Sequence, residues 1–263
     1  MYQALYFLEY GSPIWRSRKE CLIQDQASYC TLRSTSLAFH FFAWLYFDRH
    51  GRSWLIDTGC TDSIARAFGK RVNITIPILI EINFGLRAAE IDNVILTHLH
   101  YDHAGNIKPF ESAHFYVQED EWSHINSPPL GKHKGDEFYI ETTLRDLKKL
   151  IGEKRITLLN GSAKLADDIS VIPLPGHSPG LQGVRVNLPH GPAVLASDSA
   201  HLLNNLETGS PFPKSFDINK GVESINILRL LESEGNTIIP GHGLPLRLPI
   251  GAHLVRSGSL VKT

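Results

Sequence analysis

The sequence predicts a strand-rich, layered α/β fold, and three observations carry that expectation. Short runs of aromatic and β-branched residues recur along the chain, each bounded by glycine, proline or charge. The second half repeats the strand style of the first. Two stretches, one marked by Leu144, Leu147 and Leu150 and one by Val222, Ile225, Leu228 and Leu231, have the helical spacing needed to cover sheet faces.

Taken in order, residues 2–10, 41–47 and 54–57 read as strands, with Gly51 marking a hairpin turn after Asp48-Arg49-His50. Thr61 caps a short helix through Ile64, Ala65 and Phe68. Residues 86–90 look helical and lead through Ile91-Asp92 into the apolar run Val94-Ile95-Leu96, and residues 115–118 form the next strand. From Trp122 to Gly152 the chain changes character. Pro128, Pro129, Gly131 and Gly135 break it before the leucine-marked helix, so this stretch reads as a surface insertion contributing to a pocket wall. Strands return at 169–174, 184–188, 193–196 and 237–239, and a helix over about 221–234 separates the last two. With no repeat, low-complexity tract or linker, residues 1–263 are expected to form a single domain.

Composition narrows the function classes. The hydrophobic fraction is 42% and the formal net charge −1, which leaves no strongly basic face of the kind nucleic-acid binding uses. No stretch approaches the ~18–20 uninterrupted apolar residues of a membrane span. Met1-Tyr2-Gln3-Ala4-Leu5 has no positively charged region ahead of an apolar one, so a cytoplasmic location without a secretory signal is expected. Cys21, Cys30 and Cys60, sparse and odd in number, read as reduced thiols. Cys60 follows Asp57-Thr58-Gly59 and is read as a buried structural thiol, an approach to the active site being the alternative.

The chemistry concentrates in Thr97-His98-Leu99-His100-Tyr101-Asp102-His103-Ala104-Gly105. Three imidazoles and a carboxylate follow directly on an apolar strand, and these are the ligands that borderline divalent metals such as zinc prefer. Four such groups would crowd one tetrahedral ion, so the spacing points to two metals sharing a cleft, and to a hydrolase. Three further candidates sit where strands end and tight turns begin. They are His177 in Pro175-Gly176-His177-Ser178-Pro179-Gly180, Asp198 after Ala193-Val194-Leu195-Ala196-Ser197, and His242 in Pro240-Gly241-His242-Gly243. Glycine and proline beside a ligand suit a backbone that turns sharply and holds the side chain rigidly. His40, His50, His114, His124, His133, His190 and His253 lack that context and are read as structural or solvent-exposed.

On these motifs the chain resembles the metallo-β-lactamase fold superfamily over roughly residues 41–245, most of all its N-acyl-homoserine lactone lactonase, or quorum-quenching, branch. The resemblance implies a four-layered αβ/βα sandwich, the metallo-β-lactamase fold, holding two Zn2+ ions, with Co2+, Mn2+ or Fe2+ as alternatives. By position in the motifs it implies His98, His100 and His177 on one metal, Asp102, His103 and His242 on the other, and Asp198 bridging them. Asp57 matches the family's buried aspartate that organises the ligand loops, as a carboxylate bonded to a ligand imidazole would; a plain turn-forming aspartate is the other reading. The branch commonly has tyrosine three residues after the bridging aspartate. His201 stands there instead, either donating the same hydrogen bond to a substrate carbonyl or lining the pocket. Asn106 replaces a common second glycine, and a homodimer is common among similar proteins.

Two zinc ions that share a water lower its pKa to about 7, which yields hydroxide at neutral pH. That hydroxide attacks an ester carbonyl, and Asp102, by resemblance, orients it or passes its proton to the leaving alkoxide. The expected activity is opening the ring of N-acyl-homoserine lactones or related small lactones, with no Gly-x-Ser-x-Gly elbow to suggest a protein nucleophile. Tyr101 and the Pro77-broken apolar segment 76–84 are read as a lip for an acyl chain, or as core. The runner-up is thioester hydrolysis of the hydroxyacylglutathione type, which usually adds a glutathione-binding segment longer than the tail after His242. A β-lactamase would replace Asp198 with cysteine, a flavodiiron role needs glutamate at His100, and a nuclease needs a basic arm. A metal- or partner-binding protein without catalysis is the remaining class.

Overall fold

The computed structural model describes residues 3–23, 36–127, 130–244, 248–256 and 259–261. In chain order the strands are β1 (Ala4–Ser17), β2 (Ser36–Phe47), β3 (Ser53–Ile56), β4 (Gly59–Cys60), β5 (Asn93–Ile95), β6 (His114–Gln118) and β7 (Ile156–Leu159). They continue as β8 (Ala163–Ala166), β9 (Ile169–Pro173), β10 (Gln182–Leu188), β11 (Gly191–Ser197), β12 (Thr237–Pro240), β13 (Ala252–Arg256) and β14 (Ser259–Val261). The helices are α1 (Arg18–Cys21), α2 (Asp62–Ala67), α3 (Ile76–Phe84), α4 (Tyr101–Ala104), α5 (Glu119–Ile125), α6 (Glu141–Gly152), α7 (Leu203–Thr208) and α8 (Ile218–Ser233). One sheet runs β14-β13-β1-β2-β3-β5-β6-β7 and the other β12-β11-β10-β9-β8.

The pattern of β2 explains the layering. Successive side chains on a strand point to opposite faces. Phe42, Trp44 and Tyr46 therefore meet Val184, Val186, Ala193 and Leu195 of the second sheet, while Ala43, Leu45 and Phe47 pack with Leu79 and Ile80 of α3. A strand covered on both faces reads as a continuous apolar run. Outside the second sheet, Val194, Ala196 and Ile238 pack against Leu206 of α7 and Ile225 and Leu228 of α8. Helices on sheet, sheet on sheet, and sheet on helices make the expected four-layered αβ/βα sandwich. Burying a side chain as large as Trp44 or Trp54 contributes about 1.5–3 kcal/mol or more relative to exposure, and both lie between the sheets.

Several elements differ from the sequence reading. Segment 76–84 is a helix and not a lip. Pro77 sits in its first turn, where a missing N–H costs nothing, and Ile76, Leu79 and Ile80 are core. Gly85, at φ +66°, ends it. β1, read as ending at residue 10, continues to Ser17 past two irregularities around Gly11. Residues 86–90 contain only a 3-10 turn, Ala88–Glu90. Strands β7, β8, β13 and β14 and helix α7 leave no clear mark in the sequence. Of these, β7, β8 and β14 are sheet edges, and β8 carries no fully buried side chain.

Other expectations hold in detail. Thr61 caps α2, its hydroxyl accepting from Ile64 N at 3.3 Å. The helix read over about 221–234 starts earlier, at Ile218, capped by Asp217, whose carboxylate accepts from Asn219 N and Lys220 N at 2.9 and 3.1 Å. Cys21 and Cys60 are buried free thiols, and burial pushes both upward in pKa; Cys30, Pro128 and Pro129 lie outside the described residues. Among the described residues no helix is long and apolar enough to cross a membrane.

Candidate metal centre

The candidate ligands all leave the carboxyl ends of strands at one edge of the sandwich. Asp57 follows β3, residues 98–103 follow β5, His177 follows β9, Asp198 follows β11 and His242 follows β12. Because β3 and β5 run parallel, as do β11 and β12, each pair delivers its side chains to the same end. The two sheets are tied together there. Gln182 donates from its backbone N to Thr97 O at 2.9 Å and from Nε2 to Leu96 O at 2.8 Å, and the hydroxyls of Thr97 and Ser197 lie 2.8 Å apart.

The local backbone is strained where the ligands need it. Asp57 (φ +64°) and Ser197 (φ +48°) occupy the left-handed region, a conformation that costs a non-glycine residue about 1–3 kcal/mol and that clusters at functional sites. At Gly241 a Cβ would come within 2.6 Å of Ser197 C. Glycine alone lets the His242 turn close against the Asp198 turn.

Two groups of ligand atoms face one another across Asp198. His98 Nε2 and His177 Nε2 lie 3.1 and 3.0 Å from His100 Nδ1. A tetrahedral zinc with bonds of 2.0–2.1 Å sets neighbouring nitrogens about 3.3 Å apart, so these three imidazoles are spaced as ligands of one ion. On the other side, His103, His242 and Asp102 bring their ligand atoms within 4.8 Å of one another. Asp198 Oδ2 is 3.3 Å from His177 Nε2 and Oδ1 is 3.0 Å from His242 Nε2 and 3.4 Å from His103 Nε2. His201 Nε2 also reaches Asp198 Oδ2, at 3.1 Å, and its ring stacks on Phe212 at 4.1 Å. Every sequence-predicted site residue is thus brought into one cluster.

The outer hydrogen bonds set the imidazoles in a metal-binding form. His103 Nδ1 donates to Asp57 Oδ2 at 2.7 Å, and His242 Nδ1 donates to the carbonyl of His40 at 2.6 Å, which leaves each Nε2 facing inward. His103 Nε2 and Asp198 Oδ1 are buried without a hydrogen-bond partner among the described residues; buried polar atoms of that kind call for one. Burial pushes His98 and His177 well below the usual histidine range and His100 down to about 3. Neutral imidazole is the form that binds metal. Burial opposes charge on His103 as well, but Asp198, Asp57 and Asp102 together hold it well above its ordinary value. The donor set and the orphaned atoms fit two divalent ions.

Asp57 does more than form a turn. It accepts from Thr97 N at 2.7 Å and Thr97 Oγ1 at 2.8 Å as well as from His103. Asp57→Asn is expected to lower zinc affinity about 10–100-fold, read by competition with a chromophoric chelator; unchanged affinity would reduce Asp57 to its turn.

Sequence reasoning missed Glu121. It is fully buried in α5 and clamps two ligand loops together. Oε1 accepts from Leu99 N at 3.0 Å and Tyr139 Oη at 2.7 Å, and Oε2 accepts from Ser178 Oγ and Gly180 N at 2.8 Å each. In sequence it sits among Glu119 and Asp120, a run that looks like a solvated helix start. The site cavity is walled by aromatic rings packed on the ligand imidazoles, with Phe39 on His242 at 4.0 Å and Phe138 beside His100 at 5.4 Å. Phe138 comes from the 122–152 stretch, as expected of a pocket wall. Tyr101 lines the same cavity and stacks on Phe68 at 3.8 Å. Of the histidines set aside, His114 bonds Thr157 and His124 bonds Asp136, away from the ligand cluster, while the ring of His40 bonds Glu9 and its carbonyl holds His242.

A four-layered αβ/βα sandwich with imidazoles and carboxylates gathered at its strand ends defines a class of metal-binding folds. The chain belongs to the metallo-beta-lactamase superfamily, whose family model matches residues 42–242. It is similar to an N-acyl homoserine lactonase from a Bacillus species, 26% identical over 162 residues, 61% of this chain and 59% of that protein. It is also similar to the N-acyl homoserine lactonase AttM of Rhizobium radiobacter, 30% identical over 166 residues and 60% of each chain. The chain therefore spans about 60% of the length of the curated relatives it matches. The crystal structure of a quorum-quenching N-acyl homoserine lactone lactonase aligns with a TM-score of 0.71 at 22% identity, covering 92% of this chain and 93% of that one. AidC, a dizinc quorum-quenching lactonase in complex with a product, aligns with a TM-score of 0.69 at 15% identity, covering 98% and 96%. These structural likenesses speak to the fold.

Proposed function

We propose that this protein is a dinuclear, zinc-dependent hydrolase that opens the lactone ring of N-acyl-homoserine lactones or related lactones. The observation that supports the reading is Asp198, which stands between two groups of ligand atoms, within 3.3 Å of His177 Nε2 on one side and 3.0 and 3.4 Å of His242 and His103 Nε2 on the other, where Asp102 joins them. The similarity to lactonases supports the substrate class.

His98, His100 and His177 would hold one divalent ion and Asp102, His103 and His242 a second, with Asp198 shared, and such ions would supply a water acidified toward neutral pH and a Lewis acid for the ester carbonyl. The protein's own groups do the rest. Asp102, 13% exposed, is the carboxylate open to the cavity, and it orients the attacking water and carries a proton to the leaving alkoxide. The Tyr10 hydroxyl donates to the Asp102 carbonyl at 2.6 Å and steadies that loop. Phe39, Phe138 and Phe212 exclude bulk water, which strengthens the electrostatics within. His201, which burial holds below the usual histidine range, lines the same cavity, and its one N–H, now 3.1 Å from Asp198 Oδ2, becomes the donor toward the carbonyl oxygen when it turns from that carboxylate.

The test is ring opening by the purified, zinc-loaded protein, followed with a pH indicator across short- and long-chain acyl-homoserine lactones, simple γ-lactones, S-lactoylglutathione and a cephalosporin. Fast opening of acyl-homoserine lactones that a chelator abolishes is the expected result. Silence on lactones with turnover of the thioester would replace the substrate class. His201→Ala is expected to lower kcat about 10²-fold, as loss of an oxyanion donor does, at unchanged zinc content; an unchanged kcat would leave His201 as cavity wall.

A further inference from the structure

The far half of β1 carries a cation into the metal cavity. Arg16 lines it together with His242 and His201. Its guanidinium carbon lies 4.7 Å from the ring centre of Phe39 and 5.7 Å from that of Phe212, the same two rings that stack on His242 and His201. Among the described residues, Arg16 Nε is buried with no hydrogen-bond partner. Lys214 stands over Phe138, another cavity wall, at 5.2 Å, tied to Glu137 at 3.3 Å. Lys70 is close enough to both for their charges, after its own burial, to hold its ammonium below the usual lysine range. Three cations thus stand around a cavity whose metal end carries Asp102 and Asp198.

A half-buried guanidinium held by ring faces, with its buried Nε donor left over, suits a carboxylate. Its planar fork pairs with a carboxylate through two charge-assisted bonds, and a buried donor without a partner is costly until one arrives. The cavity is about 40 Å3, far below the roughly 300–1,000 Å3 of pockets that enclose drug-sized ligands.

The geometry points to an anion subsite at Arg16 that selects small lactones bearing a carboxylate over their neutral counterparts. This rests on the lactone-hydrolase reading for its substrate class, but the subsite itself is a property of Arg16 and the aromatic walls. The ring carbonyl faces the histidine cluster while the carboxylate turns toward the guanidinium. Arg16 then acts on binding and leaves the bond-breaking groups untouched.

The experiment compares γ-butyrolactone with the same ring carrying a carboxylate next to the ring oxygen, using zinc-loaded wild type and Arg16→Gln. The carboxylated lactone is expected to have a KM about 10–100-fold lower than the neutral one, the range of a charge-assisted pair. Arg16→Gln should erase that difference with kcat and neutral-lactone turnover within about twofold, which a merely structural role would not produce. Equilibrium binding of 2-hydroxyglutarate, the ring-opened product, to the same two proteins gives a readout independent of turnover. If neither lactone is opened but Arg16→Gln abolishes 2-hydroxyglutarate binding, the anion subsite stands and lactone hydrolysis falls. If both lactones are opened with equal KM, or the variant weakens both equally, the anion subsite is overturned while the hydrolase reading survives.

Discussion

Asp198→Ala is expected to lose most bound metal and to lower kcat/KM by about 10³-fold or more, because a metal centre supplies several kcal/mol of transition-state stabilisation. The carboxylate lies between His177 on one side and His103 and His242 on the other, at 3.0–3.4 Å. Without it, two dications would face one another across neutral imidazoles with nothing negative between them, and their repulsion would expel at least one. Metal content by atomic emission and turnover on the best lactone measure the two effects separately. Asp198→Asn, which keeps the volume, checks that charge and not packing is responsible. A variant that keeps two equivalents of zinc and the wild-type rate would sink the bridging role.

Glu121→Ala is the change expected to cost the most stability. It would leave Leu99 N, Gly180 N, Ser178 Oγ and Tyr139 Oη without their acceptor. Each buried donor so orphaned costs about 1–3 kcal/mol, partly recovered by water in the cavity the truncation opens, so a net loss of about 3–5 kcal/mol is expected in denaturant unfolding. The loops released are those that carry His98, His100 and His177, so zinc affinity should fall with stability. Glu121→Gln keeps the volume but turns an NH2 toward donors, and should lie between. A loss under about 0.5 kcal/mol, the scale of an ordinary surface change, would show that the four bonds hold nothing essential.

The contrast between these two residues explains how much is legible in the chain. Asp198, His177 and His242 each follow an apolar strand and precede a glycine or small-residue turn, and that local grammar suffices to gather them from the residues alone. The sandwich is legible for the same reason, since strands buried on both faces, such as β2, read as unbroken apolar runs. Glu121 carries no such local mark. Its burial is decided by loops that reach it from residues 99 and 180, far away in sequence. Pro77 misleads in another way, because proline breaks a helix in its interior yet suits its first turn, and only the packing of Leu79 and Ile80 reveals which applies. Strands such as β8, half exposed at an edge, take their conformation from a neighbour and leave little trace in their own residues.

The division of labour around the cavity has a consequence for how this fold tolerates change. The histidine and aspartate side chains spring from strand ends stitched across the two sheets, whereas Arg16, Phe138 and Phe212 ride on excursions: the prolonged β1, the stretch after α5 and the turn between α7 and α8. Connections of that kind accept substitution and insertion more readily than the scaffold beneath them. Appetite for one molecule or another can therefore drift, residue by residue along three rims, while the histidine and aspartate cluster beneath them stays as it is.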